Sequence, residues 1–302
     1  MSGKRGARPT LLFAAVYGDN PAPAETGANP NPGSIPMRLT SFDKNGRPTL
    51  GFRVGDEVVD LKAADPGLPD DLLGFLRAGP EAFDRAATVA SKAGPALRTP
   101  FASLKFHPPL TNAGKIVCLG LNYADHAAEG GHAKPTYPSL FMRSRTSLVA
   151  HNEPIVRPRC SEQLDYEAEL VAIVGRKARH IAEKDALSVI AGYSIFNEGS
   201  IREYQRKTSQ WTAGKNFDST GGFGPEFVTA DELPPGAKGL RIQSRLNGKV
   251  MQDANTAMML FDVPETVALL TEFMTLEPGD VLVMGTPAGV GHARKPPVWM
   301  KA

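Results

Sequence analysis

The stretch Leu164–Gly175, LDYEAELVAIVG, alternates as a β-strand does. Successive strand side chains point to opposite faces. Asp165, Glu167, Glu169, Val171 and Ile173 therefore share one face, and Tyr166, Ala168, Leu170, Ala172 and Val174 the other. Both faces are apolar toward the C-terminal end, which predicts a strand covered on both sides. Three carboxylates then stand in line with Val171 and Ile173 on a face that enters the protein. Alternate Cα atoms on a strand lie roughly 6.5–7 Å apart, so Glu167 and Glu169 can reach one ion. Buried carboxylates need a partner, and a convergent pair calls for a cation. All-oxygen ligation suits Mg²⁺, Mn²⁺ or Ca²⁺ rather than zinc. The competing reading is an acidic strand end that opens to solvent or meets a Lys or Arg.

The chain has 302 residues, enough for one large or two ordinary cores, and a formal net charge of only +2 with both signs interspersed. No basic block stands out, which argues against a nucleic-acid partner. No apolar run approaches ~20 residues, so no membrane span is expected. The two cysteines, Cys118 and Cys160, suit a reducing cytoplasm and give no disulfide framework. Cys118, inside KIVCLG, reads as a core residue rather than a reactive thiol.

Residues 1–36 read as a disordered extension rich in Pro, Gly, Asn and Ala, and their LLFAAV run is too short for an export signal. Met37 reads as the natural start. Residues 37–109 read as a small leading α+β domain. MRLTSF, PTLGFRV and EVVDL are short strands, the first two joined at Asn45-Gly46. LPDDLLGFLRAG and GPEAFDRAATVASKAG are helices, and TPFASLKFHPPL is an extended linker.

The remainder, 110–302, holds the chemistry. KIVCLG is a buried strand, after which Asn122 is placed to cap a short helix carrying His126 and Glu129. At i, i+3 these two are neighbours on one face, and a carboxylate beside an imidazole orients it and raises its basicity. An exposed surface pair is the plainer alternative. GGHAKPTYP follows as a candidate lid. PSLFMRSRTSLV returns to strand and puts Arg143 and Arg145 on one face, to hold an anion or face water. A strand ending at Asn197-Glu198-Gly199 offers a third carboxylate, and a helix capped by Ser200 carries Gln205. A Gly-rich stretch then presents Lys215. LRIQSRLNGKVMQDA is a hairpin turning at Asn247-Gly248, and DVPETVALLTEF a helix. DVLVMGTPAGVG is a buried strand running into a glycine loop, with Thr286 placed to help bind a carboxylate.

Five stretches in order, GLNYADHAAE, LDYEAELVAIVG, GYSIFNEGSIREYQ, QWTAGKNFD and GDVLVMGTPAGVG, resemble the fumarylacetoacetate hydrolase family, a likeness running from about Met37 onward. The resemblance implies a mainly-β α+β fold, a mixed β-sandwich roll behind a small N-terminal domain, assembled as a homodimer. It implies Mg²⁺ or Mn²⁺, with Ca²⁺ as a substitute, on Glu167, Glu169 and Glu198. The family's third ligand is normally Asp, so Glu198 departs by one methylene, which implies a shifted or looser ion. The resemblance further assigns catalysis to His126, Glu129 and Lys215, and substrate contact to Gln205 and Thr286; Arg143 is the candidate partner for a substrate anion. Family members usually continue past Ala302, which implies a shortened C-terminus and an exposed edge. The implied activity is metal-dependent C–C hydrolysis of a 2,4-dioxo acid such as an acylpyruvate through a stabilised enolate. Decarboxylation or isomerisation of dioxo acids in aromatic catabolism uses the same site, and a catalytically silent member is the third alternative.

Overall fold

The computed structural model describes residues 36–301. The expectation of disorder in the leading extension falls, Pro36 apart, outside them. The strands are β1 Arg38–Lys44, β2 Arg47–Val54, β3 Glu57–Asp60, β4 Arg98–Pro100, β5 Ile116–Gly120, β6 Ser139–Met142, β7 Leu148–Ala150 and β8 Leu164–Asp165. They continue with β9 Ala168–Val174, β10 Ile190–Glu198, β11 Ser200–Ile201, β12 Gly221–Phe223, β13 Glu226–Thr229, β14 Arg241–Leu246, β15 Lys249–Asn255 and β16 Val281–Val283. Twelve of them form one mixed sheet in the order β4-β3-β2-β1-β13-β10-β9-β16-β5-β6, with β12 bridging β10 and β7. The β16–β5 and β12–β7 pairs are parallel. This is the mixed, mainly-sheet α+β fold expected.

β9 lies at the centre, and every one of its residues is buried. Its two faces enter two cores. Val171 and Ile173 pack with Cys118, Phe196, Val281 and Val283 beneath the helices Leu72–Ala78 and Pro80–Lys92. Leu170, Ala172 and Val174 pack with Val117, Tyr193 and Leu282 under the helix Val263–Phe273. The run is apolar on both faces because no face of a central strand is left to water.

The single strand expected over Leu164–Gly175 is broken at Tyr166-Glu167. β8 pairs with β11, while β9 pairs with β10 and β16. At the break the backbone bonds leave the ladder: Glu167 N–H donates to Asn197 Oδ1 and Ala168 N–H to Gln252 Oε1. Residues 37–109 join the main sheet and core, since β1 is hydrogen-bonded to β13 and the leading helices share a core with β9. Part of the expected linker is strand β4, an added edge on β3. Both anticipated turns form, with Asn45, Gly46, Asn247 and Gly248 all at positive φ.

Two caps differ from expectation. Asn122 does not cap the helix Ala124–Glu129; it is fully buried, its amide donates to the carbonyls of Phe261 and Met284, and its oxygen accepts from Phe261 N–H. Ser200 does not cap either, since its hydroxyl donates to Glu167 Oε1 at 3.0 Å. The segment after Gly291 folds back rather than leaving β8 bare: Val298 N–H bonds Gly291 O, Met300 N–H bonds Leu164 O, and Met300 is buried. Among the described residues no helix is long and apolar enough to cross a membrane.

Asn122 ties three chain segments together with bonds that Ala cannot make. Asn122→Ala should lower unfolding free energy by about 3 kcal/mol, because buried backbone groups lose their partners. Urea denaturation checks this, and an unchanged midpoint would refute the latch.

Candidate active site

Glu167, Glu169 and Glu198 converge at the ends of β9 and β10, and one carboxylate oxygen from each lies within 4.8 Å of the others. The strand pairing dictates this, since Phe196 faces Glu169 and Asn197 faces Ala168 across the β9–β10 ladder. All three are buried. Glu169 Oε2 accepts the Gly285 N–H at 2.6 Å. Gly285 sits at φ +86°, and a Cβ there would lie 2.7 Å from Asn122 Cβ, so the approach demands glycine.

Three buried cations surround the cluster. Lys215 Nζ lies 2.8 Å from Glu167 Oε2 and 3.6 Å from Glu198 Oε2. Arg202 bridges Asp165 at 2.8 Å and Glu167 at 2.7 Å. Arg143 reaches Glu198 Oε1 at 3.3 Å. The short helix Thr212–Lys215 can bring its lysine this close only because Gly214 has no side chain; a Cβ there would meet Gln205 N at 2.3 Å.

Charge decides what else the cluster holds. Asp165, Glu167, Glu169 and Glu198 are four buried carboxylates against three buried cations. Burial raises the Glu167 carboxyl, but Lys215, Arg202 and His126 outweigh it and bring it to about 2. Glu169 is pushed well above the usual range by burial, then by Glu198 and Glu167. Glu198 Oε2 is buried without a hydrogen-bond partner. An excess carboxylate, a carboxylate oxygen without a hydrogen bond and an all-oxygen donor set fit a divalent cation, since the lysine and arginines balance only part of the charge.

The cluster lies in a cavity of about 290 Å³ whose lining includes His126, Glu129, Gln205, Lys215 and Thr286. His126 Nδ1 lies 2.8 Å from Glu129 Oε1, and Glu129 Oε2 accepts Gly289 N–H at 3.0 Å. The carboxylate thus aims the imidazole and fastens its helix to the glycine loop after β16. Thr286 donates to Ala168 O and accepts from Gln252, which holds it against β9.

Arg143 does not face substrate space as the sequence led one to expect. Strand β6 ends at Met142, and Arg143 turns inward, 3% exposed, to bond Ser147, Thr220 and Glu198 behind the cluster. It does not line the cavity and shares no face with the exposed Arg145. Sequence reasoning gave no role to Arg202, His132, Trp211 or His292, all of which line the cavity. Arg202 had a detectable signal, four residues beyond Glu198 and three before Gln205; the others are brought in by tertiary folding alone. Cys118 is buried, its thiol pushed well up by burial and by Glu198, which makes it inert as expected.

Residues 115–302 match the family model for the fumarylacetoacetate hydrolase C-terminal region. The chain belongs to the fumarylacetoacetate hydrolase family. It is 37% identical over 275 residues to the mitochondrial oxaloacetate tautomerase fahd2 of Xenopus laevis, covering 89% of this chain and 85% of that one. A fumarylacetoacetate hydrolase from Exiguobacterium antarcticum superposes with a TM-score of 0.75 at 32% identity, over 88% of this chain and 92% of its own. A 2-hydroxyhepta-2,4-diene-1,7-dioate isomerase from Mycobacterium marinum superposes at 0.66 with 28% identity, over 84% and 89%. The family's enzymes thus span tautomerase, hydrolase and isomerase names on one fold.

Glu169 supplies a test that needs no turnover. Its raised carboxyl contributes stability to the metal-free fold that is fully present below the usual carboxylate range and is lost as pH rises toward the folded value. Glu169→Gln should therefore raise the melting temperature of metal-free protein at pH 7 by a few degrees. It should also abolish the upward shift that Mg²⁺ or Mn²⁺ gives the wild type. Scanning calorimetry with and without metal checks both, and a metal-induced shift retained in the variant would remove Glu169 from the ligand set.

Proposed function

We propose that this protein catalyses divalent-metal-dependent keto–enol tautomerisation of a small 2-oxo dicarboxylic acid of the oxaloacetate class. The observation that carries this is the meeting, in one cavity of about 290 Å³, of the carboxylate cluster, Lys215 and the His126–Glu129 pair. Similarity to a relative named as an oxaloacetate tautomerase, over most of both chains, supports the choice among enolate reactions.

A divalent cation on Glu167, Glu169 and Glu198, Mg²⁺ or Mn²⁺, would supply Lewis acidity toward the 2-oxo group. The chain's own groups do the rest. Glu129 engages His126 Nδ1, leaving Nε2 to take the proton from the carbon next to the carbonyl. The Lys215 ammonium donates a hydrogen bond to the carbonyl oxygen and favours negative charge there, and the proton held by His126 returns to the enolate at carbon or, through solvent, at oxygen. Thr286 and Gln205 line the same cavity and orient the substrate.

C–C hydrolysis of a 2,4-dioxo acid is the second reading, favoured by the same pair, since an imidazole oriented by a carboxylate can take a proton from water. A homodimer is proposed from family resemblance. The free cysteines suit a reducing compartment such as the cytoplasm expected from the sequence, while the Xenopus relative is named as mitochondrial.

Loss of oxaloacetate enol absorbance in metal-loaded protein tests the proposal. Turnover should vanish in EDTA. His126→Gln should lower kcat by about 10²–10⁴-fold with little change in KM. A full rate in that variant would exclude His126 as the base. Release of pyruvate from acylpyruvates, without acceleration of enol loss from oxaloacetate, would replace tautomerisation by hydrolysis.

A further inference from the structure

Arg206 and His292 face the same cavity from different parts of the chain. Arg206 follows the helix Arg202–Gln205, its N–H bonded to Arg202 O at 3.2 Å. His292 lies in the loop after β16, its backbone N–H donating to Asp165 Oδ2 at 2.9 Å. Its ring stacks on Trp299, with centroids 6.0 Å apart and planes 26° from parallel. The imidazole is therefore held by backbone and by stacking, and its Nε2 accepts from the Arg206 guanidinium. An imidazole that accepts from a guanidinium is neutral. Burial, then Arg206 and Arg202, lowers its pKa and favours that form.

The cations of the inner cluster each have a carboxylate partner. Arg206 has an imidazole instead, and among the described residues it makes no ion pair. A cation on a cavity wall, held by a neutral ring and with the acid that influences it, Asp165, already paired to Arg202, is a binding place for an anion. The planar fork of guanidinium matches a carboxylate.

We propose that Arg206, positioned by His292, receives the distal carboxylate of the substrate and selects 2-oxo dicarboxylic over 2-oxo monocarboxylic acids. This rests on the inner cluster holding the 2-oxo acid end. The substrate then spans the cavity, its reacting carbon between Lys215 and His126 and its far carboxylate at Arg206. Arg206 binds and does not take part in proton transfer.

Calorimetric titration of Mg²⁺-loaded protein with oxaloacetate and with pyruvate tests this by binding rather than turnover. Wild type should bind oxaloacetate more tightly than pyruvate. Arg206→Gln should weaken oxaloacetate roughly tenfold and leave pyruvate within about twofold, as for loss of one charged hydrogen-bonding group. Arg206→Lys should recover part of the loss, and His292→Ala should weaken oxaloacetate alone. Equal weakening of both ligands, unchanged oxaloacetate affinity in Arg206→Gln, or no oxaloacetate preference in wild type would each overturn the subsite. If the preference is present and lost in Arg206→Gln while no tautomerisation occurs, the subsite stands and the catalytic reading falls.

Discussion

The structure turns on an imbalance of buried charge. Four carboxylates and three cations are packed where β8, β9 and β10 meet, and dehydrated carboxylates repel one another strongly. Lys215 and Arg202 relieve Glu167, and Arg143 relieves Glu198. Glu169 accepts the Gly285 N–H, makes no ion pair among the described residues and sits against the Glu198 and Glu167 carboxylates, so it carries the excess. Much of the surrounding architecture keeps these groups from rearranging. β9 is locked between two apolar cores, Asn197 and Gln252 hold the break before it, and Asn122 anchors the loop that delivers Gly285. A looser frame would let the carboxylates splay into water, and the cation preference would be lost with them.

Arg143 shows how the same frame accommodates a longer acid. Family resemblance places Asp where this chain has Glu198, and the added methylene frees the carboxylate to swing. Arg143 takes Oε1 from behind and is itself held by Ser147 and Thr220. Oε2 makes no hydrogen bond and lies 3.6 Å from Lys215 Nζ, within the cluster. A residue that seemed from the sequence to meet substrate instead fixes the rotamer of a glutamate. Its burial is what separates the two roles, and strand alternation beyond Met142 carried no hint of the inward turn.

Local pattern made much of the fold legible. Alternation gave β9 both of its faces, positive-φ dipeptides gave both hairpins, and i, i+3 spacing gave the His126–Glu129 pair. The failures share one cause. Asn122 and Ser200 have good capping chemistry, but tertiary partners outbid the local ones, Phe261 and Met284 for the first and Glu167 for the second. The break at Tyr166-Glu167 was likewise invisible, because the groups that cause it, Asn197 and Gln252, lie 30 and 84 residues away. His292 had no signal of its own, since only the fold sets it beside Arg206.

The cavity thus divides into a floor and a rim that obey different constraints. The floor is built from strands and buried ion pairs, where a small displacement leaves a charge uncompensated. It suits the step that the proposed reaction needs, stabilisation of negative charge on an enolising 2-oxo acid. The rim is built from the short helix Ala124–Glu129, the glycine loop after β16 and Arg206. These elements meet through hydrogen bonds of exposed side chains, Glu129 to Gly289 and Arg206 to His292. A change in a rim side chain alters which proton is moved or which substrate end is held, while the ion pairs that Lys215, Arg202 and Arg143 make below it stay in place. That separation gives a physical reason why tautomerase, hydrolase and isomerase names occur on one fold, and why the choice among them has to be sought at the rim.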